Sequence, residues 1–234
     1  MTENTLDIEP EFMPLYESCR EASMTSIERM HALWLAVRHL GRAGIAGDVV
    51  ECGVWRGGSM MLAAKTLLSQ GDTARRLWLY DTFDGVSPPG DDDVQEMSGR
   101  RAKDILDERE RSQDDPFWAV APRAMVERNI RRTRYPMHRF RLVQGDVLAT
   151  IPAEIPASLA VLRLDTDWYR STSHELEHLY PRLSPGGVLI VDDYGYWRGA
   201  RKATDEYFQA VDARPLLNRI DYTGRICVKP FDGR

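Results

Sequence analysis

The chain has 234 residues, 43% of them hydrophobic, which is enough to bury the core of one α/β domain or two small ones. A net charge of -5 and a pI near 5.6 argue against a general nucleic-acid binder, which needs a basic surface to displace counterions from phosphates. Cys19, Cys52 and Cys227 are too dispersed for a disulfide framework or a zinc site, and no apolar run reaches membrane-spanning length, so the expectation is a cytoplasmic protein with no membrane partner.

Ile27, Met30, His31, Trp34, Val37 and Leu40 recur at three- and four-residue intervals, which predicts an amphipathic helix over 18–39. With the residues before it, it forms a helical arm, 1–40, that could serve a homo-oligomer. Asp48 to Val54 reads as a first strand, too continuously apolar to be half exposed apart from Glu51. A glycine turn through Gly57, Gly58 and Ser59 leads into a helix from Met60 to Ser69, and a second strand, Arg76 to Asp81, ends in an acid.

The charged stretch 84–118 is too long to be filler and reads as a lid loop, with a short exposed helix at 102–111. A helix at 118–132 and a third strand ending in Asp146 follow. A fourth strand runs to Asp167, then come a helix from Ser171 to Leu183, a turn at Ser184-Pro185-Gly186-Gly187, and a fifth strand to Asp193. A helix from Ala200 to Val211 and paired β segments at 215–220 and 224–229 close the chain. Repeated β-α units predict one doubly wound, mainly parallel α/β sheet in a single domain over 1–234. The C-terminal antiparallel hairpin would put an antiparallel strand at or inside one edge.

Strands that end in acids point to the carboxyl rim, where open α/β sheets bind ligands. Asp165, Asp167, Asp192 and Asp193 together at that rim would repel one another, by about 4 kcal/mol for a close pair at an effective dielectric of about 20. A hard divalent cation with oxygen ligands is the simplest relief. The competing reading is that Asp165, Thr166 or Asp167 caps the helix that follows.

In the first half, the turn from Glu51 through Gly53 to Ser59 sits where such folds hold a nucleotide-type ligand. A dehydrogenase would carry G-x-G-x-x-G and has no use for an acid just before the first glycine. Glu51 suits a cationic group such as the ammonium of S-adenosylmethionine, Asp81 suits ribose hydroxyls, and Asp146 could accept from an adenine amino group. Against these stand a Glu51–Arg56 pair and a helix cap by Asp146.

The segments Gly47 to Ser59, Tyr80 to Gly85, Leu164-Asp165-x-Asp167-x-Tyr169, and Ser184 to Tyr194 resemble the macrocin O-methyltransferase (TylF) family over roughly 27–229. The resemblance implies a class I, Rossmann-like methyltransferase fold. It also implies methylation of a sugar hydroxyl on a glycosylated natural product of antibiotic biosynthesis, using S-adenosylmethionine and Mg²⁺. It implies further that Glu51, Gly53 and Ser59 hold the methionine end of the cofactor, Asp81 the ribose and Asp146 the adenine. Asp165, Asp192 and Asp193 would hold the metal and Asp167 would act as general base, although spacing leaves open which of Asp165 and Asp167 is ligand and which is base. Thr166 stands where members often have glycine. The alternatives are a metal-dependent methyltransferase of catechols or phenols, a dehydrogenase, and a non-catalytic scaffold, with His138 as a competing base.

Overall fold

The computed structural model describes residues 8–231. Five parallel strands form the centre of one sheet: β1 (Asp48–Cys52), β2 (Leu77–Asp81), β3 (Phe140–Gln144), β4 (Leu159–Leu164) and β5 (Leu183–Val191). The hairpin of β6 (Asn218–Arg219) and β7 (Arg225–Val228) completes a seven-stranded order β3-β2-β1-β4-β5-β7-β6. β7 lies antiparallel to β5 and inside the edge, as the sequence predicts. The order reverses between β1 and β4, the switch point where a crevice opens in such sheets. There Glu51 lies directly across from Arg163.

Helices α1 (Phe12–Glu17), α2 (Ile27–Ala43), α3 (Gly58–Ser69) and α5 (Arg123–Arg131) supply one core layer, in which Trp34, Leu62 and Ile130 meet Val49, Leu79 and Val161. Helices α6 (Val147–Thr150), α7 (Tyr169–Leu179) and α8 (Arg198–Ala210) supply the other, in which Leu176 and Phe208 meet Val50, Leu162 and Leu189. Neighbours in a strand face opposite layers, so unbroken apolar runs are what a strand covered on both sides requires. No helix among the described residues is long and apolar enough to cross a membrane.

Several boundaries differ from the sequence reading. The helix expected over 18–39 starts at Ile27, because the Ser26 hydroxyl caps it by accepting from the Arg29 amide at 3.2 Å. Its stripe, Trp34 and Leu40 included, is spent on this chain's own core. The first residues of the expected arm, 1–7, lie outside the described residues. The helix expected over 118–132 begins only at Arg123, after an extended Pro122. Ser184 to Gly187 is no turn but part of β5, because Gly186 and Gly187 pair through their backbones with Lys229, a partner distant in sequence. Of the segment expected to pair at 215–220, only Asn218 and Arg219 join the sheet.

The stretch 84–118 is pinned at many points. Asp93, fully buried, accepts from the amides of Gly90 at 2.6 Å and Tyr169 at 2.7 Å. The Trp168 indole donates to the Ser87 carbonyl at 2.7 Å, and Asp92 and Glu96 pair with Lys202 and Arg198 of α8. Helix α4 (Ala102–Asp107) is shorter than expected, and its Ala102, Ile105 and Leu106 are buried against Trp168, Trp197 and Ala200 rather than exposed.

Candidate active site

A cavity of about 310 Å³ opens at the carboxyl ends of the central strands, and Glu51, Asp81, Asp165, Asp167, Asp192 and Asp193 all line it. Gly53 and Ser59 line it too. Its two halves use their acids differently.

In the half built on β1 to β3, Gly53 has φ +80, and a Cβ there would collide with the Asp165 carbonyl. Glycine is what lets the ends of β1 and β4 approach. A Cβ on Gly58 would lie 2.6 Å from the Ala22 carbonyl, so the segment before α2 closes over the first turn of α3. Ser59 is buried there with its hydroxyl 3.8 Å from the Met30 sulfur. Glu51 is 1% exposed. Its Oε1 accepts from Arg163, while its Oε2 is buried with no hydrogen-bond partner among the described residues. Burial pushes its carboxyl up to about 8 against the pull of Arg163. The alternative Glu51–Arg56 pair is not made, and Arg56 donates instead to the Gln113 carbonyl.

Asp81 organises backbone: Oδ2 accepts from the amides of Val54 (2.8 Å) and Trp55 (3.1 Å), and Oδ1 from Phe83 (2.7 Å). Trp55 and Phe83 both hold positive φ, at 47° and 55°, so the carboxylate fixes two strained loops at once. Asp146 caps α6 through the Leu148 amide at 2.9 Å and accepts from the Ser87 hydroxyl at 2.9 Å. The cavity wall at this point is made by its neighbours Gly145 and Val147.

In the half built on β4 and β5, one oxygen from each of Asp165, Asp192 and Asp193 lies within 4.8 Å of the others, an arrangement able to hold a metal ion. A cation is the simplest relief that the sequence suggests, yet the fold also supplies two guanidiniums. Arg163, 2% exposed at the next-to-last position of β4, donates to Glu51, to Asp165 Oδ2 at 2.7 Å, to Asp192 Oδ1, and to the Thr25 hydroxyl at 2.9 Å. Arg29 of α2 donates to Asp192 Oδ2 and, through Nε, to Asp221 at 2.9 Å. Asp193 keeps Oδ2 buried without a partner among the described residues, and burial, then the charge of Asp167, pushes its carboxyl well up.

Asp167 sits at φ +67 with Oδ1 accepting from the Trp197 indole at 2.9 Å, and burial followed by the charge of Asp165 raises its pKa. The helix-cap alternative for these acids is not realised: α7 has no side-chain cap of its own, and Asp93 takes the Tyr169 amide. Thr166 turns its hydroxyl to Glu175, fully buried on α7, at 2.9 and 3.1 Å.

Arg29, Arg163, Asp93 and Glu175 escape the sequence reading, whereas the aromatics after the last acidic strand, Tyr196 and Trp197, line the cavity as their position beside the acids suggests. Only Arg163 leaves a mark, as the one charge inside the otherwise apolar run Leu159 to Leu164. Such a residue needs acids on both sides. Arg29 reaches Asp192 across 163 positions of chain, and no local pattern carries that. His138 lies in a separate surface pocket with Arg123, Glu127 and Arg131, away from the cavity, and drops out as a base.

The seven-stranded sheet with its antiparallel hairpin, and a cavity at its switch point, define a class I O-methyltransferase. Residues 18–229 match the macrocin O-methyltransferase (TylF) family, and the chain belongs to it. It is 35% identical over 202 residues to the 8-demethyl-8-(2,3-dimethoxy-alpha-L-rhamnosyl)-tetracenomycin-C 4'-O-methyltransferase of Streptomyces olivaceus, covering 86% of this chain and 73% of that protein. It is 36% identical over 188 residues to the mycinamicin III 3''-O-methyltransferase of Micromonospora griseorubida, covering 79% and 69%. The solved O-methyltransferase NovP superposes with a TM-score of 0.78 at 31% identity, covering 89% of this chain and 82% of that one. The dehydrogenase and scaffold alternatives are thereby set aside.

Proposed function

We propose that this protein transfers the methyl group of S-adenosylmethionine to a sugar hydroxyl of a glycosylated natural product, with a Mg²⁺ ion held by Asp165, Asp192 and Asp193. The observation that carries this reading is a pair of buried, unpartnered carboxylate oxygens, Glu51 Oε2 and Asp193 Oδ2, on residues lining one cavity. Each lacks the cation or donor that buried polar atoms in a folded protein normally have. The first suits the cofactor's ammonium, with Gly53 and Ser59 at the methionine end, Asp81 near the ribose, and at the adenine end the Gly145–Val147 turn that Asp146 caps. The second suits a hard cation beside the other two carboxylates.

The bound donor supplies an electrophilic methyl, and the bound cation lowers the pKa of a sugar hydroxyl that would otherwise lie far above neutrality. The protein contributes position and a proton acceptor. Asp165 has an oxygen already engaged by the Arg163 guanidinium, whereas Asp167 is held by an uncharged indole and its carboxyl is pushed up by burial. Asp167 is therefore the better base, the group that would take the acceptor hydroxyl's proton as the methyl carbon bonds to that oxygen; the donor's carbon–sulfur bond would break with its electron pair left on sulfur, and S-adenosylhomocysteine would leave. Gly85, Ser87 and Phe117 wall the cavity from the 84–118 segment, which excludes water from the reacting atoms. Fixing two reactants in line can lower a barrier by roughly 7–11 kcal/mol, more than the ~10²- to 10⁴-fold that a base supplies.

The test is product formation from labelled S-adenosylmethionine with mycinamicin III and related rhamnosylated or deoxysugar-bearing acceptors, in Mg²⁺ and in excess EDTA. Methylation that stops in EDTA and returns with Mg²⁺ is expected. Full activity in EDTA removes the metal from the mechanism, and a calorimetric titration showing no binding of S-adenosylhomocysteine removes the donor.

A further inference from the structure

The carboxylates assigned to the cation are already engaged. Asp192, 2% exposed, has one oxygen taken by Arg163 and the other by Arg29, and Asp165 has an oxygen taken by Arg163. Both arginines are buried and held on their far sides: Arg163 by Glu51 and the Thr25 hydroxyl, Arg29 by Asp221 and the Ser26 hydroxyl. The hairpin turn is fixed to the same point, since the Thr223 hydroxyl donates to the Asp192 carbonyl at 2.6 Å and Asp221 accepts from Ser26 at 2.7 Å. Both guanidiniums line the cavity and are tied at several points, so moving either one away from the carboxylates breaks more than one hydrogen bond.

We infer that Arg29 and Arg163 are built-in counter-cations that hold the site's carboxylates in place and set its divalent affinity low. This deepens the proposed function and rests on its metal site. Three carboxylates would present a charge of about -3 to the ion, and two adjacent guanidiniums offset about +2 of it at distances where Coulomb energies in a buried site are large. What remains is Asp193, with its one unpartnered oxygen. Retention of the ion then depends on whatever else supplies oxygen at the cavity, water or the hydroxyls of the acceptor sugar. The arginines are positioning residues: they touch the ligands of the ion and not the ion.

The experiment titrates Mn²⁺ into the full chain with S-adenosylhomocysteine present, at mildly alkaline pH so that protons do not compete, reading free Mn²⁺ by paramagnetic resonance. Arg29→Gln is expected to bind Mn²⁺ roughly ten-fold or more tightly than the parent. Unchanged or weaker binding overturns the inference. Arg29→Lys, which keeps the charge, is expected within about three-fold of the parent, and tightening equal to that of the Gln variant also overturns it. If Arg29→Gln does not fold, Asp221→Asn decides: it strips Arg29 of its other counter-ion and is expected to weaken Mn²⁺ by roughly three-fold or more, and unchanged or tighter binding sinks the idea. Failure of every form, parent included, to bind Mn²⁺ at millimolar concentration overturns the metal reading itself, whereas binding that ignores these charges overturns only the role of the arginines.

Discussion

The two halves of the cavity are built from the same sequence signal, an apolar strand ending in acid, and put it to opposite uses. On the β2 and β3 side, Asp81 and Asp146 are satisfied locally by amides and hydroxyls within their own loops or the one beside them. On the β4 and β5 side, Asp165, Asp167, Asp192 and Asp193 follow strands whose neighbours offer no spare donors. They are satisfied by the guanidiniums of Arg163 and Arg29 and the indole of Trp197, or in one atom by no partner among the described residues. Local satisfaction makes an acid a structural part. Pairing with a guanidinium builds a charged site whose spare or unpartnered oxygens a ligand can join.

The sharpest way to break this contrast is to remove the shared cation. Arg163→Met strips a charge from two buried carboxylates, Glu51 and Asp192, and from the partly buried Asp165, and breaking a buried pair in this way typically costs about 3–5 kcal/mol. Urea denaturation of the ligand-free protein should show a loss of that size, and a loss under about 1 kcal/mol would mean the arginine is not what holds the acidic half together. Next in size is Asp167→Asn, for which turnover should fall by roughly 10²- to 10⁴-fold while S-adenosylhomocysteine binds as before. A variant as active as the parent would move the base to Asp165.

A smaller effect is read through pH. Burial raises the Glu51 carboxyl in the folded protein from its ordinary 4.5 to about 8, so the folded state keeps a proton that the unfolded chain releases. The stabilisation is fully present below about 4.5 and is lost as pH rises through about 8. Melting temperatures of the ligand-free protein should therefore fall across that window, and Glu51→Gln should flatten the slope; the same slope in both would assign it elsewhere. The smallest change is expected on the locally satisfied side. Asp146→Ala should cost no more than a lost helix cap, about 0.5–2 kcal/mol, with little change in turnover. A collapse of cofactor binding in that variant would make Asp146 more than a cap.

The strands and most helices were legible because burial on both faces leaves uninterrupted β-branched and aliphatic runs, and because glycine at Gly53 and Gly57 is demanded by positive φ. The acids of the site were legible for the same reason: a carboxylate directly after such a run stands out. What the sequence by itself determined was therefore the alternation of elements, the sheet that follows from it, and the set of carboxylates at its rim. Only the tertiary structure decided which carboxylates stay unpartnered, that Asp93 rather than a neighbour caps α7, and that Arg29 and Arg163 stand among the acids. The physical reason is that periodicity and capping are interactions between residues close in the chain. Charge compensation in a buried site is chosen by distance in space, and Arg29 meets Asp192 only after the whole sheet has been assembled between them.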